Sequence, residues 1–495
     1  MAASASHARP ISGLWPGFKF LEHQAVGVQW MLDKERNGTV HDGVQVFGGF
    51  QCDDMGLGKT IQILATIRNN LKKSTLIVCP LAMVQTWADV SEQSGFTVYT
   101  VQKDSWQSER IRAHRPAIYI TNYEKIIWSP SLFLGEHTAW DRVVLDEAHK
   151  IRNPYSVISE RIIQIRAPLR WVVTGTPLVN GLRDIVSELA FLGFPHDDRF
   201  RWDIGYRDLL PKILMHRSMD KMRAVLTSAP PVPTVTSVSL EFDNEREEEF
   251  YSAVRGEIDG RLAARYAKDN AEQLELLMRM RQISVHPQVY INSKKRKDEK
   301  YDQEPFTGPS TKFNALANLI KNDRVENGID HKYIVFCSFY EEMHLLQQFL
   351  QSINGSFGSI ELYHGGMSKR ERDEALSRAR KPECSVLLIQ LQSGGVGLNL
   401  QEFDRCVFMS PWWTSALMQQ AIARTVRMGQ VRIVKVYHLL LKCEEEMSSI
   451  DLMMNRAAER KAYLLEWLFA KCTSAGAIAK SVCSESDCDD PTVDE

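Results

Sequence analysis

The sequence predicts an α/β protein of two parallel-sheet lobes with a helical insertion between them, and three observations carry that reading. Between about residues 45 and 200, short apolar runs (VQVFGGFQC, STLIVCP, AIYIT, RVVLDEAH, RWVVTGTP) alternate with amphipathic segments such as TIQILATIRNNL. Runs without polar alternation suit strands covered on both faces of a parallel sheet. A second such series, KYIVFCS, SIELYHG, CSVLLIQ, RCVFMS and VKVYHLL, begins after residue 330. Between them, residues 244–281 are charged and rich in Glu, Ala, Leu and Arg, a composition that favours helices over a third sheet.

Taken in order, residues 1–17 lack a charged stretch followed by an apolar one, so they read as a disordered leader with no secretory signal. Residues 18–229 form the N-terminal lobe, left through the PPVP at 230–233. Residues 230–309 are the helical insertion and a solvated polar linker, 310–472 the C-terminal lobe, and 473–495 an acidic disordered tail. The linker carries the basic run Lys294, Lys295, Arg296 and Lys297, which reads first as a solvated loop and second as a nuclear-import or phosphate-contact patch.

The length of 495 residues gives a prior of about three domains or two large ones. With 44% hydrophobic and 25% charged residues, collagen-like, coiled-coil and wholly disordered classes are excluded. No apolar run approaches the ~18–20 residues of a membrane span, so no membrane partner is expected. The nine cysteines include no C-x-x-C pair and several sit in apolar runs, which points to buried free thiols and to neither a zinc site nor a disulfide framework. The net charge of −2 includes six acidic residues in the last twelve, so the average does not exclude a basic cleft.

The strongest chemical signal is DDMGLGKT at 53–60, where a strand runs through a Gly-rich turn into a helix. Backbone N–H groups and the helix N-terminus then converge on one anion-binding point. In that arrangement Lys59 reaches the β and γ phosphates of ATP, Thr60 holds Mg²⁺, and Gly56 and Gly58 let the backbone approach. Asp53 stands where the general G-x-x-x-x-G-K-[ST] pattern has its first glycine. Further on, RVVLDEAHK ends an apolar strand in Asp146 and Glu147. One carboxylate there can hold the Mg²⁺ shell and the other can orient the attacking water, so Asp146 joins Thr60 as a candidate metal ligand.

These motifs, with CPLAMVQTW, TGTPLVN, QSGGVGLNL and QQAIARTVRMGQ, resemble in order those of the Swi/Snf-type ATPases of helicase superfamily two, over roughly residues 18–445. The resemblance implies two RecA-like lobes that hydrolyse ATP between them. It places Gln24 as the adenine reader and adds Asp54, Met55, Leu57 and Gly397 to the nucleotide contacts. Arg424 and Arg427, three apart and on one face if the segment is helical, match the arginine-finger motif. Thr174, Thr176 and Gln420 match positions that link hydrolysis to lobe movement, although threonines there also suit a helix cap. Thr121, Asn122, Ser393, Gly394 and Gly395 match nucleic-acid backbone contacts, which carry no base specificity.

The implied partner is double-stranded DNA, with nucleosomes or other DNA-bound proteins as further substrates, and the implied state is a monomeric motor in the nucleus, or in another compartment if the origin is viral or bacterial. GGFQCDDMGLGKT also resembles the repair translocases that carry a zinc RING between the lobes, but no cysteine lies between Cys79 and Cys337 to build one. Thr414 and Ser415 depart from the usual Asn-Pro after the Trp412 and Trp413 pair, for which core packing is favoured over base stacking. Two rival functions remain: a strand-separating DNA or RNA helicase, and a catalytically silent DNA-binding scaffold. The acidic tail suggests competition with DNA for a basic cleft, or simple solubilisation.

Overall fold

The computed structural model describes residues 11–101, 116–134, 139–195, 205–226, 229–264, 270–353, 357–394, 398–443 and 449–473. The first lobe is built on strands β1 (Thr39–His41), β2 (Val44–Gln51), β3 (Ser74–Cys79), β4 (Thr97–Thr100), β5 (Ala117–Asn122), β6 (Arg142–Asp146), β7 (Leu169–Val173) and β8 (Leu214–Met215). They lie in the order β1-β2-β7-β6-β3-β5-β4, with β8 on β2, and every pairing except β1 with β2 is parallel. All residues of β3, β5 and β6 are buried, as the apolar runs required. Gly48 is needed where β2 passes β7, since a Cβ there would stand 1.8 Å from the Arg170 carbonyl oxygen.

The second lobe is a six-stranded, all-parallel sheet in the order β11-β12-β10-β13-β14-β9. Its strands are β9 (Thr234–Leu240), β10 (Tyr333–Cys337), β11 (Ser359–Tyr363), β12 (Cys384–Gln390), β13 (Arg405–Phe408) and β14 (Lys435–Leu441). The α/β class and the two lobes are therefore as expected, and the helices Glu245–Ala264 and Asn270–Val285 fill the insertion.

Three expectations about boundaries change. Residues 11–17 are not a disordered leader: Leu14 is buried, and Ile11, Trp15 and Phe18 pack on the first lobe's core, with Trp15 edge-on to Phe18 at 4.6 Å. The chain after PPVP joins the second sheet at once, because all seven residues of β9 pair with β14. Its TVTSVSL is mostly exposed along the sheet edge and so lacks the apolar run by which the other strands were recognised. Finally, the basic run is the last turn of the helix Pro287–Lys297, begun by a His286 ring that accepts from Gln288 N and by proline in the first turn. Cations at that end complement the helix dipole, while Arg296 and Lys297 pair with Glu341 and Glu275 at 3.0 and 2.7 Å.

Five cysteines (52, 79, 337, 384, 406) are buried free thiols and Cys443 is partly so. Among the described residues no group of acidic, His or Cys side chains forms a metal cluster, and no helix is long and apolar enough to cross a membrane. The tail from residue 474 lies outside the described residues.

Candidate active site

The phosphate loop leaves β2 and enters the helix Lys59–Asn69 through Gly58, whose φ of 82° is the left-handed conformation that glycine adopts without strain. A Cβ there would also stand 2.5 Å from Gln24 Nε2, so that amide would have to move. Lys59 donates to the Asp53 carbonyl at 2.6 Å and the Asp54 carbonyl at 3.3 Å, so its ammonium is held against the loop it serves. Leu57 is buried, and its carbonyl accepts from Gln24 Nε2 (3.4 Å) and Gln62 Nε2 (3.4 Å) and bonds His23 Nε2 (3.0 Å). Gln24 Oε1 accepts from Leu21 N at 3.2 Å. Gln24, expected as the adenine reader, thus lies behind the loop with its amide engaged there.

At the end of β6, two strands away, Asp146 accepts from the Trp87 indole at 2.7 Å and Tyr123 O–H donates to the Asp146 carbonyl at 2.8 Å. Glu147 follows with φ of 53°, a backbone conformation that costs a non-glycine residue roughly 1–3 kcal/mol and is found at functional sites. Its carboxylate lies 3.4 Å from His149 Nδ1. Burial, then the neighbouring Glu147 charge, raise Asp146 to about 6. Burial also pushes Glu147 up, but His149, Lys59 and Arg424 together outweigh it and hold Glu147 below the usual carboxylate range. The adjacent acids are therefore driven apart, with Glu147 ionised, the form required of a group that orients and deprotonates water.

The second lobe completes the site from β13. The helix Ser415–Ile422 ends at Ile422, so Arg424 and Arg427 lie on the turns beyond it and not on a helix face. Ala423 closes the helix with backbone bonds to Ala421 and Gln419, and tight turns continue from Arg424 N to the Ala421 carbonyl and from Arg427 N to that of Thr425. The turns are fixed by Gln430, which donates to the Gln401 carbonyl (2.8 Å) and the Thr425 carbonyl (3.3 Å). Burial and the nearby Arg427 lower Arg424 to about 10, so it keeps its charge at neutral pH.

Met55, Gly56, Gly58, Lys59, Thr60, Asp146 and Glu147 line one cleft of about 360 Å³ together with Asn399, Gln401, Arg424, Arg427 and Met428. The five expected catalytic residues meet there although they come from both lobes. Thr60 and Asp146 line the same wall and fit Mg²⁺, which takes one or two protein oxygens and completes its shell with phosphates and water. When bound, that ion would neutralise phosphate charge. Asp54, whose Oδ2 accepts from Met219 N at 2.8 Å, supports the loop from outside the cleft.

Other expected residues are placed less simply. Thr174 is fully buried and its Oγ1 accepts from Thr176 N at 3.1 Å, beside Gly175, where a Cβ would stand 3.6 Å from Lys59 Nζ. Gln420 is buried on the helix Ser415–Ile422. Thr121 and Asn122 are both buried, the hydroxyl on the Val101 carbonyl and the amide on Glu124, so they do not present side chains for the nucleic-acid contact expected of them. Ser393 is half-buried and donates to Gln390 Oε1 at 2.7 Å. Gly394 ends the helix Leu391–Gly394, and Gly395 and Gly397 lie outside the described residues. Trp412 packs on the core and against Arg281, 4.4 Å from its ring, as favoured.

Asp53 and Arg217 form a buried pair beside the phosphate loop that sequence reasoning did not bring together. Asp53 is fully buried and is gripped by Arg217, by Gln62 Nε2 (3.1 Å) and by Gln51 Nε2 (3.0 Å). The mismatch of Asp53 with the general loop pattern was the available signal, since a buried carboxylate implies a cation.

A phosphate loop on one lobe and arginines on another can act on the same nucleotide only where two sheets face across it, and this places the chain among the helicase-like ATPases. Residues 23–289 match the SNF2-related domain and residues 311–429 the helicase conserved C-terminal domain, and the chain belongs to the SNF2-related family. It is 29% identical over 475 residues to the "Probable global transactivator" of Orgyia pseudotsugata multicapsid polyhedrosis virus, with 91% of each chain covered. It is 24% identical to the "Putative ATP-dependent helicase/translocase YwqA" of Bacillus subtilis, covering 91% of this chain and 49% of that one. With "DNA excision repair protein ERCC-6" of Homo sapiens the identity is 25%, covering 86% of this chain and 31% of the relative. The chain thus spans about half or less of the last two. A solved structure, the Sulfolobus solfataricus SWI2/SNF2 ATPase core in complex with dsDNA, is similar at 21% identity over 86% of this chain and 88% of that one, with a TM-score of 0.39.

Proposed function

We propose that this SNF2-family ATPase translocates along double-stranded DNA, and that hydrolysis is the step that opens and closes its lobes. The observation that carries the reading is the shared cleft, in which Lys59, Thr60, Asp146 and Glu147 face Arg424 and Arg427. Lys59 and the loop N–H groups bind the β and γ phosphates, and Thr60 and Asp146 hold Mg²⁺. Glu147, kept ionised by its neighbours, orients the attacking water and accepts its proton. Arg424 and Arg427 meet the charge that develops on the transferred phosphoryl group, a contribution worth ~10³–10⁵ in related nucleotidases. Because they lie on the second lobe, the arginines tie turnover to lobe position.

Duplex DNA as the track is supported by the family and by relatives named for chromatin remodelling and excision repair. Nucleosomes or other DNA-bound proteins are the obstacles such a motor would displace, in a nucleus or in a virus-infected cell. The test is steady-state ATP hydrolysis with no nucleic acid, duplex DNA, single-stranded DNA and RNA, with Lys59→Ala as blank, followed by strand displacement and triplex displacement. Greatest stimulation by duplex DNA with triplex but no strand displacement is expected. Stimulation by single strands or RNA alone would replace the reading with a strand-separating helicase, and no hydrolysis with a silent scaffold.

A further inference from the structure

We propose that Arg217 is a positioning residue for ATP hydrolysis, holding the phosphate loop and the helix Glu22–Asn37 in one frame, and that Phe469 makes this frame answer to the C-terminal helix of the second lobe. The guanidinium donates from Nε to Asp53 Oδ1 at 2.9 Å and from Nη2 to Asp53 Oδ2 and, at 2.8 Å, to Gln62 Oε1. Its remaining arm, Nη1, donates to the carbonyl of His23, on the helix Glu22–Asn37. One side chain therefore bonds the residue that opens the phosphate loop, the first helix beyond that loop, and the helix that carries His23 and Gln24.

The approach is so close that a side chain at Gly27 would have to push Gln62 and Arg217 out of these bonds. A Cβ there would stand 2.0 Å from Gln62 Oε1 and 2.7 Å from Arg217 Nη2. The backbone around Arg217 repeats the grip: Cys52 N donates to the Met215 carbonyl (2.8 Å), Asp54 N to the Arg217 carbonyl (3.0 Å) and Met219 N to Asp54 Oδ2 (2.8 Å). Arg217 serves an arrangement of bonds and not charge alone, because lysine has one ammonium where four directed N–H donations are made.

The neighbouring residue connects this frame to the other lobe. His216 Nδ1 bonds the Cys52 carbonyl at 2.9 Å, and its ring lies under that of Phe469, with centroids 3.5 Å apart and planes at 5°. Phe469 belongs to the helix Ile450–Thr473, which begins in the second lobe, where Asp451 pairs with Lys312 at 2.6 Å and accepts from Leu441 N at 3.0 Å. The helix ends in the first lobe's core, where Leu468 and Phe469 are buried. A shift of the second lobe is thus delivered to residues one and two bonds away from the phosphate loop.

The proposal rests on hydrolysis in the cleft and not on movement along DNA, so measurements without DNA test it separately. Arg217→Lys is expected to raise KM for ATP roughly tenfold, with a smaller fall in kcat and an unfolding midpoint near that of the unaltered protein. A merely structural role would lower kcat with the folded fraction and leave KM unmoved, and that result would overturn the assignment. If Arg217→Lys does not fold, Asp53→Asn, which keeps the shape and removes the charge that orients Arg217, is subject to the same two outcomes. Phe469→Ala is expected to raise KM about two- to threefold alone and to add nothing in the Arg217→Lys background, because both changes loosen one frame. Effects that multiply would remove Phe469 from the proposal.

Discussion

The two lobes share a parallel sheet but bury charge in different places. In lobe one the buried ion pairs tie the first helix, Glu22–Asn37, to its surroundings at both ends: Arg217 bonds Asp53 and the His23 carbonyl beside the phosphate loop, and Arg142 on Glu35, with an Nε–Oε1 distance of 2.6 Å, pins the far end of the helix to the start of β6. In lobe two they gather at joints. Lys312 and Asp451 fasten the C-terminal helix to the helix Thr311–Asn327, and Asp323 holds Arg405 and Lys435 at 2.7 and 3.2 Å across β13 and β14. Lobe one places its buried charge at the helix that backs the phosphate loop, and lobe two at its joints, while a pair of turns in lobe two presents two arginines to the shared cleft.

Breaking the arginine contribution should produce the largest effect. Arg424→Ala is expected to lower DNA-stimulated kcat by roughly 10³-fold or more, with ATP binding to lobe one largely retained. Steady-state hydrolysis and nucleotide binding by calorimetry check it together. A variant that keeps a tenth of the activity would show that Arg424 is not the main source of stabilisation for the developing phosphoryl charge.

The joints of lobe two give the next effect. Lys312 and Asp451 are both fully buried, Lys312 also donates to Ser410 Oγ at 3.0 Å, and Ser284 donates to Asp451 at 2.9 Å. Lys312→Leu leaves the Asp451 charge without its cation, which should destabilise the protein by about 3–5 kcal/mol. Replacing both with Leu and Asn should recover much of the loss, since the desolvated charge is then gone. Chemical denaturation of the two variants separates these outcomes, and equal losses in both would mean that packing and not charge sets the cost.

What was legible beforehand divides along the same line. The strands of both lobes and the residues of the phosphate loop announce themselves because local pattern and function coincide: a buried parallel strand must be apolar, and a phosphate loop must be Gly-rich. Glu147 and Arg424 were recognisable as residues, yet the positive φ of the one and the turn that carries the other depend on contacts from distant segments. Arg217 was invisible because its meaning lies in Asp53, Gln62 and His23, which only the folded sheet brings to it. The exposed strand β9 was missed for a different reason: an edge strand needs no apolar run. Buried polar pairs of high sequence separation are the part of this molecule that composition and periodicity cannot encode.

The smallest effect sharpens the comparison through two buried acids, one in each lobe. Glu342 in lobe two accepts from Ser338 N (2.8 Å) and Phe339 N (3.0 Å), and burial raises it to about 7 against that support. Glu188 in lobe one is fully buried on the helix Ile185–Leu192; neither carboxyl oxygen has a hydrogen-bond partner among the described residues, and burial together with Asp184 raises it well above the carboxylate range. An acid whose folded pKa is raised binds its proton more tightly folded than unfolded, so its contribution is present below the unfolded value and is lost as pH rises through the folded one. For Glu342 that window runs from the ordinary carboxyl value of 4.5 to about 7. For Glu188 it extends further upward. Glu188→Leu removes an unsatisfied carboxyl from an apolar cluster and should stabilise the protein by about 1–3 kcal/mol at neutral pH, with a larger gain at pH 8 than at pH 5. Glu342→Leu should gain less, because it also strips two backbone N–H groups of their acceptor. Denaturation midpoints at the two pH values check both, and a Glu188→Leu gain that does not grow with pH would show that Glu188 finds a charged partner in the folded lobe.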